Sequence, residues 1–234
     1  RRQHRTANRQ SRFIAQFQST SPLQAAMDDL DREHEVETSC SRIRVSGPDS
    51  VRYLNGQLSN DVNLATEDEA IDACLLDPKG KLQAFVQIHR EGDDFIIEGP
   101  YDQAAIILAR LDKYLIADDV ELTDESEDDS AYTLRMNETA RILEGIPKWP
   151  NELFPGLLPP EAGLESTAIS YTKGCYTGQE VISRMKRAGK TNRQLVKLTL
   201  DKPLIPTRSK LLVDGKEAGW ITSVAAHVSQ GEVA

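Results

Sequence analysis

The sequence predicts an α+β fold, on three observations. A strand-like run, a helical run, three strand-like runs and a second helical run follow one another between residues 41 and 116, the order of an α+β arrangement rather than of a βαβ unit. No G-x-G-x-x-G and no phosphate-loop pattern occurs, so nothing points to a nucleotide cradle. Near the C-terminus, Asp214-Gly215 lies between two β-rich runs, a hairpin signal.

Taken in order, "SRIRVS" alternates Ile43 and Val45 with Arg42 and Arg44 and closes at Gly47-Pro48-Asp49, a strand and its turn. "SVRYLNGQL" places Val51, Leu54 and Leu58 on one helical face, with Asp49 or Ser50 in position to cap it. Asp77-Pro78-Lys79-Gly80 and Glu91-Gly92-Asp93-Asp94 then separate three strands, the middle one alternating Leu82, Ala84, Val86 and Ile88. "YDQAAIILARLDKYLI" keeps the i, i+3, i+4 spacing of a helix through Ala104, Ile107, Leu108, Leu111 and Leu115. From residue 193 onward the pattern is strand-like, and Gly219-Trp220 suggests a large ring packed on a close backbone. That makes a small β-rich second domain.

A chain of 234 residues with 39% hydrophobic and 28% charged residues has the composition of a globular protein with a sizeable core. No apolar run is long enough for a transmembrane helix, so no membrane partner is expected. Cys40, Cys74 and Cys175 are widely spaced, which fits neither a disulfide framework nor a zinc cluster and suits a reducing compartment. The four histidines show no metal-ligand spacing, and no metal is expected. A net charge of −9 argues against direct nucleic-acid binding. The eight carboxylates of 118–129 read as a solvated loop or helix rim. Residues 1–39 begin as a basic arm, rich in Arg and without acid before Asp28, a composition shared with mitochondrial transit peptides. A cytoplasmic location is expected, with the mitochondrial matrix as the alternative.

"KGCYTGQEVISR", residues 173–184, holds the chemistry. Thr177-Gly178-Gln179-Glu180 has the form of a capping box opening a helix whose apolar face is Val181, Ile182 and Met185 and which Gly189 ends. Cys175 then sits just before the helix start, with Lys173 beside it, conditions that favour a thiolate. Lys173, Arg184, Lys186, Arg187, Lys190 and Arg193 give this region a basic field, which serves either an anionic ligand or simply a solvated helix face. On residues alone, a capped helix after an incidental buried cysteine is the simpler reading of the stretch, and a reactive site the alternative.

Lys173, Gly174, Cys175, Tyr176, Gly178, Gln179, Glu180 and Arg184 match every specified position of K-G-C-[FY]-x-G-Q-E-x-x-x-R. This stretch resembles the signature of the YgfZ-type folate-binding proteins, relatives of the glycine-cleavage aminomethyltransferases. "RVSGPDSVRYLNGQLSNDV", "RILEGIP", "GLLPPEAGLE" and "GWITS" are similar to further segments of that family, so the resemblance spans residues 40 to 225. It implies ferredoxin-like folate-binding domains followed by a small C-terminal β-barrel: an aminomethyltransferase-like region over 40–190 and the barrel over 191–234. It also implies tetrahydrofolate or a related folate as cofactor. The implied role is accessory, in assembly or maintenance of iron–sulfur proteins, some of them tRNA-modifying, with iron–sulfur assembly proteins or client enzymes as partners.

Within that resemblance Cys175 is the reactive thiol, meeting a cluster, a thiol partner or a one-carbon unit. Lys173 and Arg184 supply positive charge for the thiolate or for a folate's glutamate tail. Glu144, in the Arg141–Pro147 element, would take the pterin's N–H donors. Arg141, Asn60, Asp61, Tyr176, Gln179 and Glu180 complete the expected cofactor-binding set, although capping is the simpler use of Asn60 and Asp61. One departure bears on activity: Gln83 and Ala84 stand where aminomethyltransferases carry paired carboxylates. Without a carboxylate to move protons at the folate nitrogens, one-carbon transfer is disfavoured and an accessory factor is the expected reading. The alternatives are a folate-dependent one-carbon or aminomethyl transferase, and a redox-sensing scaffold that binds no folate.

Overall fold

The structure, a computed structural model, describes residues 35–36, 40–126, 136–199 and 205–225. The chain divides into two compact units, His34–Lys197 and Arg1–Glu33 together with Leu198–Ala234. Apart from 35–36, the basic N-terminal arm lies outside the described residues.

In the first unit, β1 (Glu35–Val36) pairs with β7 (Met136–Asn137), and β2 (Cys40–Ser46) leads into α1 (Ser50–Gln57). Strands β3 (Ile71–Leu76), β4 (Leu82–Glu91) and β5 (Asp94–Pro100) follow, then α2 (Ala104–Asp112) and β6 (Glu121–Asp124). The main sheet is antiparallel throughout, in the order β3-β4-β5-β2-β6. Short helices α3 (Glu138–Glu144) and α4 (Gln179–Ala188) flank a mostly irregular segment.

Successive side chains of a strand point to opposite faces, so β4 and most of β2 bury alternate residues, whereas β3 and β5 bury consecutive ones. Ile43, Val45, Val86, Ile88, Phe95 and Ile97 make one face and pack on Tyr53 and Leu54 of α1 and Ile107 and Leu111 of α2. The helical face expected for α2 is the one that is buried, although the helix stops at Asp112 and residues 101–103 form a 3-10 turn. At the start of α1 the expected side-chain cap is absent. Asp49 instead accepts the amide of Asp119 at 2.8 Å, and the Ser50 hydroxyl donates to the Gly47 carbonyl at 2.7 Å.

The opposite sheet face has two parts. Cys74, Leu76 and Leu82 form a second core with Leu153, Leu164, Tyr176 and Ile182, under the irregular segment. Leu82 leaves the side used by Ala84 because the register shifts where Leu75 faces Ala84 and Leu76 faces Leu82. That shift leaves Gln83 as the extra residue of a β-bulge. Farther along the sheet the face is polar. Arg42 and Arg44 reach Glu91 at 2.5 and 2.7 Å and Glu125 at 3.0 and 2.5 Å, and their hydrogen bonds hold the Glu91 carboxyl down to about 2. His89 is half-buried, 4.0 Å from Glu98. The acidic run expected as a loop or helix rim contains β6, an edge strand whose charges discourage further pairing. Residues 127–129 of that run lie outside the described residues.

The second unit, by itself, shows a hairpin of β8 (Lys210–Val213) and β9 (Lys216–Trp220). Asp214 and Gly215 both have positive φ, 51° and 74°, as a two-residue type I′ turn requires. Among the described residues the close backbone approach expected at Gly219 is absent: nothing lies within 4 Å of a Cβ built there, and Trp220 is 39% exposed. Of the barrel expected over 191–234, this hairpin is the regular part among the described residues.

Candidate functional site

The motif is a turn laid against the end of the sheet. Beyond α1 the chain runs extended beside β3, where Leu58 bridges Leu75 and the Ser59 amide donates to the Cys74 carbonyl at 3.1 Å. Segment 167–173 lies on the other side of this stretch: Ser170 N–H donates to the Ser59 carbonyl at 2.9 Å, and the Ser59 hydroxyl to Ala168 at 2.6 Å. The polypeptide then turns through 173–178 and enters α4.

Three contacts fix that turn. The Lys173 amine donates to the carbonyls of Leu58 at 2.8 Å and Asn60 at 2.6 Å. The Thr177 amide donates to Gly56 at the end of α1, at 3.1 Å. Gly178 lies so close to the 77–80 turn that a Cβ on it would be 2.6 Å from the Asp77 carbonyl oxygen. Gly80 returns the contact, its own Cβ position being 3.0 Å from Val181.

The capping box is overturned by this geometry. Gly178, with φ 86°, is the N-cap and no side chain caps the helix, which starts at Gln179. Glu180 pairs with Arg184 one turn on, at 2.7 Å, instead of reaching back to Thr177. A left-handed residue is what turns the chain sharply from the docked segment into α4, and only glycine fits beside Asp77. The C-terminal end is as expected, with Gly189 in the left-handed conformation.

Cys175 is exposed, whereas Cys40 and Cys74 are buried, and burial pushes the Cys74 thiol up to about 12. Lys173 is turned to the backbone carbonyls. Loss of solvation lowers its amine to about 8, against the opposing charge of Asp61. Tyr176 belongs to the second core, its hydroxyl buried without a hydrogen-bond partner among the described residues, and burial pushes that phenol up to about 12. Gln179 opens α4, and the basic residues Arg184, Lys186, Arg187, Lys190 and Arg193 are solvent-exposed.

The remaining expected residues divide by role. Asn60 is buried and its amide donates to Asp72 at 2.9 Å and Thr167 at 3.0 Å, stitching β3 to the segment before the motif. Asp61 caps the short 3-10 turn at Val62–Leu64 through the Asn63 amide. Arg141 is buried, paired with Glu138 at 2.6 Å and Glu152 at 3.1 Å. Glu144 is exposed at the end of α3. The motif residues are thus brought onto the 56–60 segment, while Arg141 organises α3 and the chain after it. Sequence reasoning missed the docking partners Gly56, Leu58, Asp77 and Gly80. All but Gly80 act through backbone atoms, and Gly80 acts through its lack of a side chain.

At the two positions lacking carboxylates, Ala84 faces the helices and is fully buried. Gln83, the bulge residue, lies outside that core, with a buried side-chain oxygen that has no hydrogen-bond partner among the described residues. Among the described residues no cluster of three or more His, Cys, Asp or Glu could hold a metal.

No family model matches the chain. An uncharacterized protein of Haemophilus influenzae is 27% identical over 196 residues, covering 68% of this chain and 70% of that one. The tRNA-modifying protein YgfZ of Escherichia coli is 26% identical over 221 residues, covering 66% of this chain and 68% of its own. The chain is a relative of the YgfZ-type proteins.

A putative chloroplastic transferase of Arabidopsis thaliana is 41% identical over 86 residues, 37% of this chain and 19% of that one. Among solved structures, the glycine cleavage system aminomethyltransferase T from Bartonella henselae is similar over 37% of this chain and 24% of its own. Its identity is 19% and its TM-score 0.35, a likeness too partial to carry weight beside the YgfZ relationship. No described helix is long and apolar enough to cross a membrane.

Proposed function

We propose that this protein binds tetrahydrofolate or a related folate and supports the assembly or maintenance of iron–sulfur proteins through Cys175. The observation that carries the reading is an exposed thiol on a turn docked at three points, in a YgfZ-type sequence. Docking fixes where the thiol is presented, which a reactive group needs and an incidental cysteine does not. A single cysteine cannot hold a cluster alone, so the thiol makes a transient contact or shares ligation with a partner. Iron–sulfur assembly proteins and their clients, among them tRNA-modifying enzymes, are the partners, in the cytoplasm or the mitochondrial matrix. The expected ferredoxin-like domains over 40–190 and barrel over 191–234 belong to this reading.

In this reading Glu144, an exposed carboxylate at the end of α3, takes the pterin's N–H donors, and Gln179, Glu180 and Arg184 of α4 complete the set. Asn60 holds the stretch behind the 173–178 turn through Asp72 and Thr167, Asp61 caps the 3-10 turn that follows it, and Arg141 orders α3, which ends at Glu144. One-carbon transfer is the lesser reading: a carboxylate at 84 would point into the apolar core, and position 83 carries an amide that does not titrate. Titration calorimetry with tetrahydrofolate is expected to show saturable binding at micromolar ligand without turnover of a methylene-folate donor. No heat at high micromolar ligand would remove both the accessory and the transferase readings.

A further inference from the structure

We propose that Lys173 is the positioning residue of the motif: its amine, by donating to the Leu58 and Asn60 carbonyls, holds the 173–178 turn against the sheet and so sets how Cys175 is presented. Three features of the structure support this role. The amine lies on two main-chain oxygens from a single stretch, 2.8 and 2.6 Å away, and among the described residues no carboxylate lies within 4.0 Å of it. That stretch is itself anchored, through Leu58 on Leu75 and the Asn60 amide on Asp72 and Thr167. The turn's other attachments, Thr177 on Gly56 and Gly178 against Asp77, are both on its far side. Removing the amine would therefore leave the near side of the Cys175 turn, among the described residues, with the hydrogen bond of the Lys173 amide to the Ser170 hydroxyl, at 3.3 Å.

The clamp is pH-dependent in a definite direction. The titratable groups that face the amine are the Asp61 carboxylate, which favours its protonated form, and Tyr176, whose ring centre is 5.3 Å away. Docked, the amine titrates at about 8, because a charged ammonium there has lost water. Released into solvent it would titrate at about 10.4. Between those values the released turn binds more protons than the docked one, so docking strengthens as pH rises and weakens as it falls. The neutral amine keeps two N–H groups, enough for both carbonyls. Linkage makes the docking equilibrium rise about tenfold between about pH 7 and pH 9.

This inference goes beyond the folate reading and stands whether or not folate binds, so it is tested on the full chain without ligand. The measurement is hydrogen-exchange protection of the Thr177 amide, relative to an amide in the middle of α4, in the wild type, Lys173→Arg and Lys173→Met. In the wild type the relative protection should rise about tenfold over that pH range. Lys173→Arg should retain substantial protection with no pH dependence, because a guanidinium does not titrate there. Lys173→Met should fall about tenfold or more at neutral pH, having lost a charged donor. Wild-type protection that is flat with pH, or Lys173→Met protection equal to wild type, would overturn the proposal. If Lys173→Met fails to fold, as circular dichroism would show, the wild-type and Lys173→Arg pH profiles still decide it.

Discussion

Gly178→Ala is expected to destabilise the protein by about 2–5 kcal/mol, measured as a drop in the urea midpoint at unchanged slope. Two costs combine. A residue with a Cβ at φ 86° pays for the left-handed conformation, and its Cβ would stand 2.6 Å from the Asp77 carbonyl oxygen. Backbone cannot swing away as the end of a flexible side chain can, so either the 77–80 turn moves or α4 lifts off it. Gly189→Ala is the control. It carries the same kind of conformation, φ 61°, with nothing described within 4 Å of its Cβ position. Its expected cost is about 1 kcal/mol. Equal losses at the two glycines would mean that close approach to Asp77 does not hold the motif.

Arg141→Ala is expected to cost about 3–5 kcal/mol. The guanidinium is buried between Glu138 and Glu152, and Glu152 is itself only 6% exposed. Truncation would leave the Glu152 carboxylate, which also accepts the Lys148 amide at 3.1 Å, buried without the guanidinium charge that balances it. Breaking a buried pair is costly for this reason, even where replacing the whole pair with apolar residues is not. The acid limb carries the same signature. Hydrogen bonding to Arg141 lowers the Glu138 carboxyl. Its contribution is therefore complete above the unfolded value, about 4.3, and is lost as pH falls through the lower folded value. Arg141→Ala should flatten that part of the stability profile. If the variant lost folate affinity while keeping wild-type stability, Arg141 would be a ligand contact and not a structural one.

The sheet was legible because its strands alternate. Ile43 and Val45, then Leu82 to Ile88, announced a period of two, and Asp214-Gly215 announced a turn that needs two positive φ values. Helix α2 was legible in its buried face but not in its length, since its ends depend on the 3-10 turn before it and on where the sheet edge stops supporting it. The site was harder to read. T-x-x-E at 177–180 has the composition of a capping box, yet tertiary docking overrides it: Gly178 must press against Asp77, which places the left-handed residue at the N-cap and moves Glu180 onto Arg184. Lys173 suggested a charge beside a thiol, whereas its partners are backbone carbonyls more than a hundred residues earlier in the chain. No side-chain pattern encodes an acceptor that every residue carries. Bulging at Gln83 was equally hidden, because it arises from pairing with Leu75 and Leu76.

The central claim is that Cys175, on its docked turn, is the working group of a folate-linked iron–sulfur accessory factor. It is tested most directly by restoring a strain that lacks its own YgfZ-type protein with the wild-type chain or with Cys175→Ala, and assaying iron–sulfur enzyme activities. Cys175 is exposed, so the substitution should leave stability within about 0.5 kcal/mol and any loss can be assigned to chemistry. The account predicts that the wild-type chain restores those activities and that Cys175→Ala, present at equal abundance, does not. Full restoration by Cys175→Ala would contradict it.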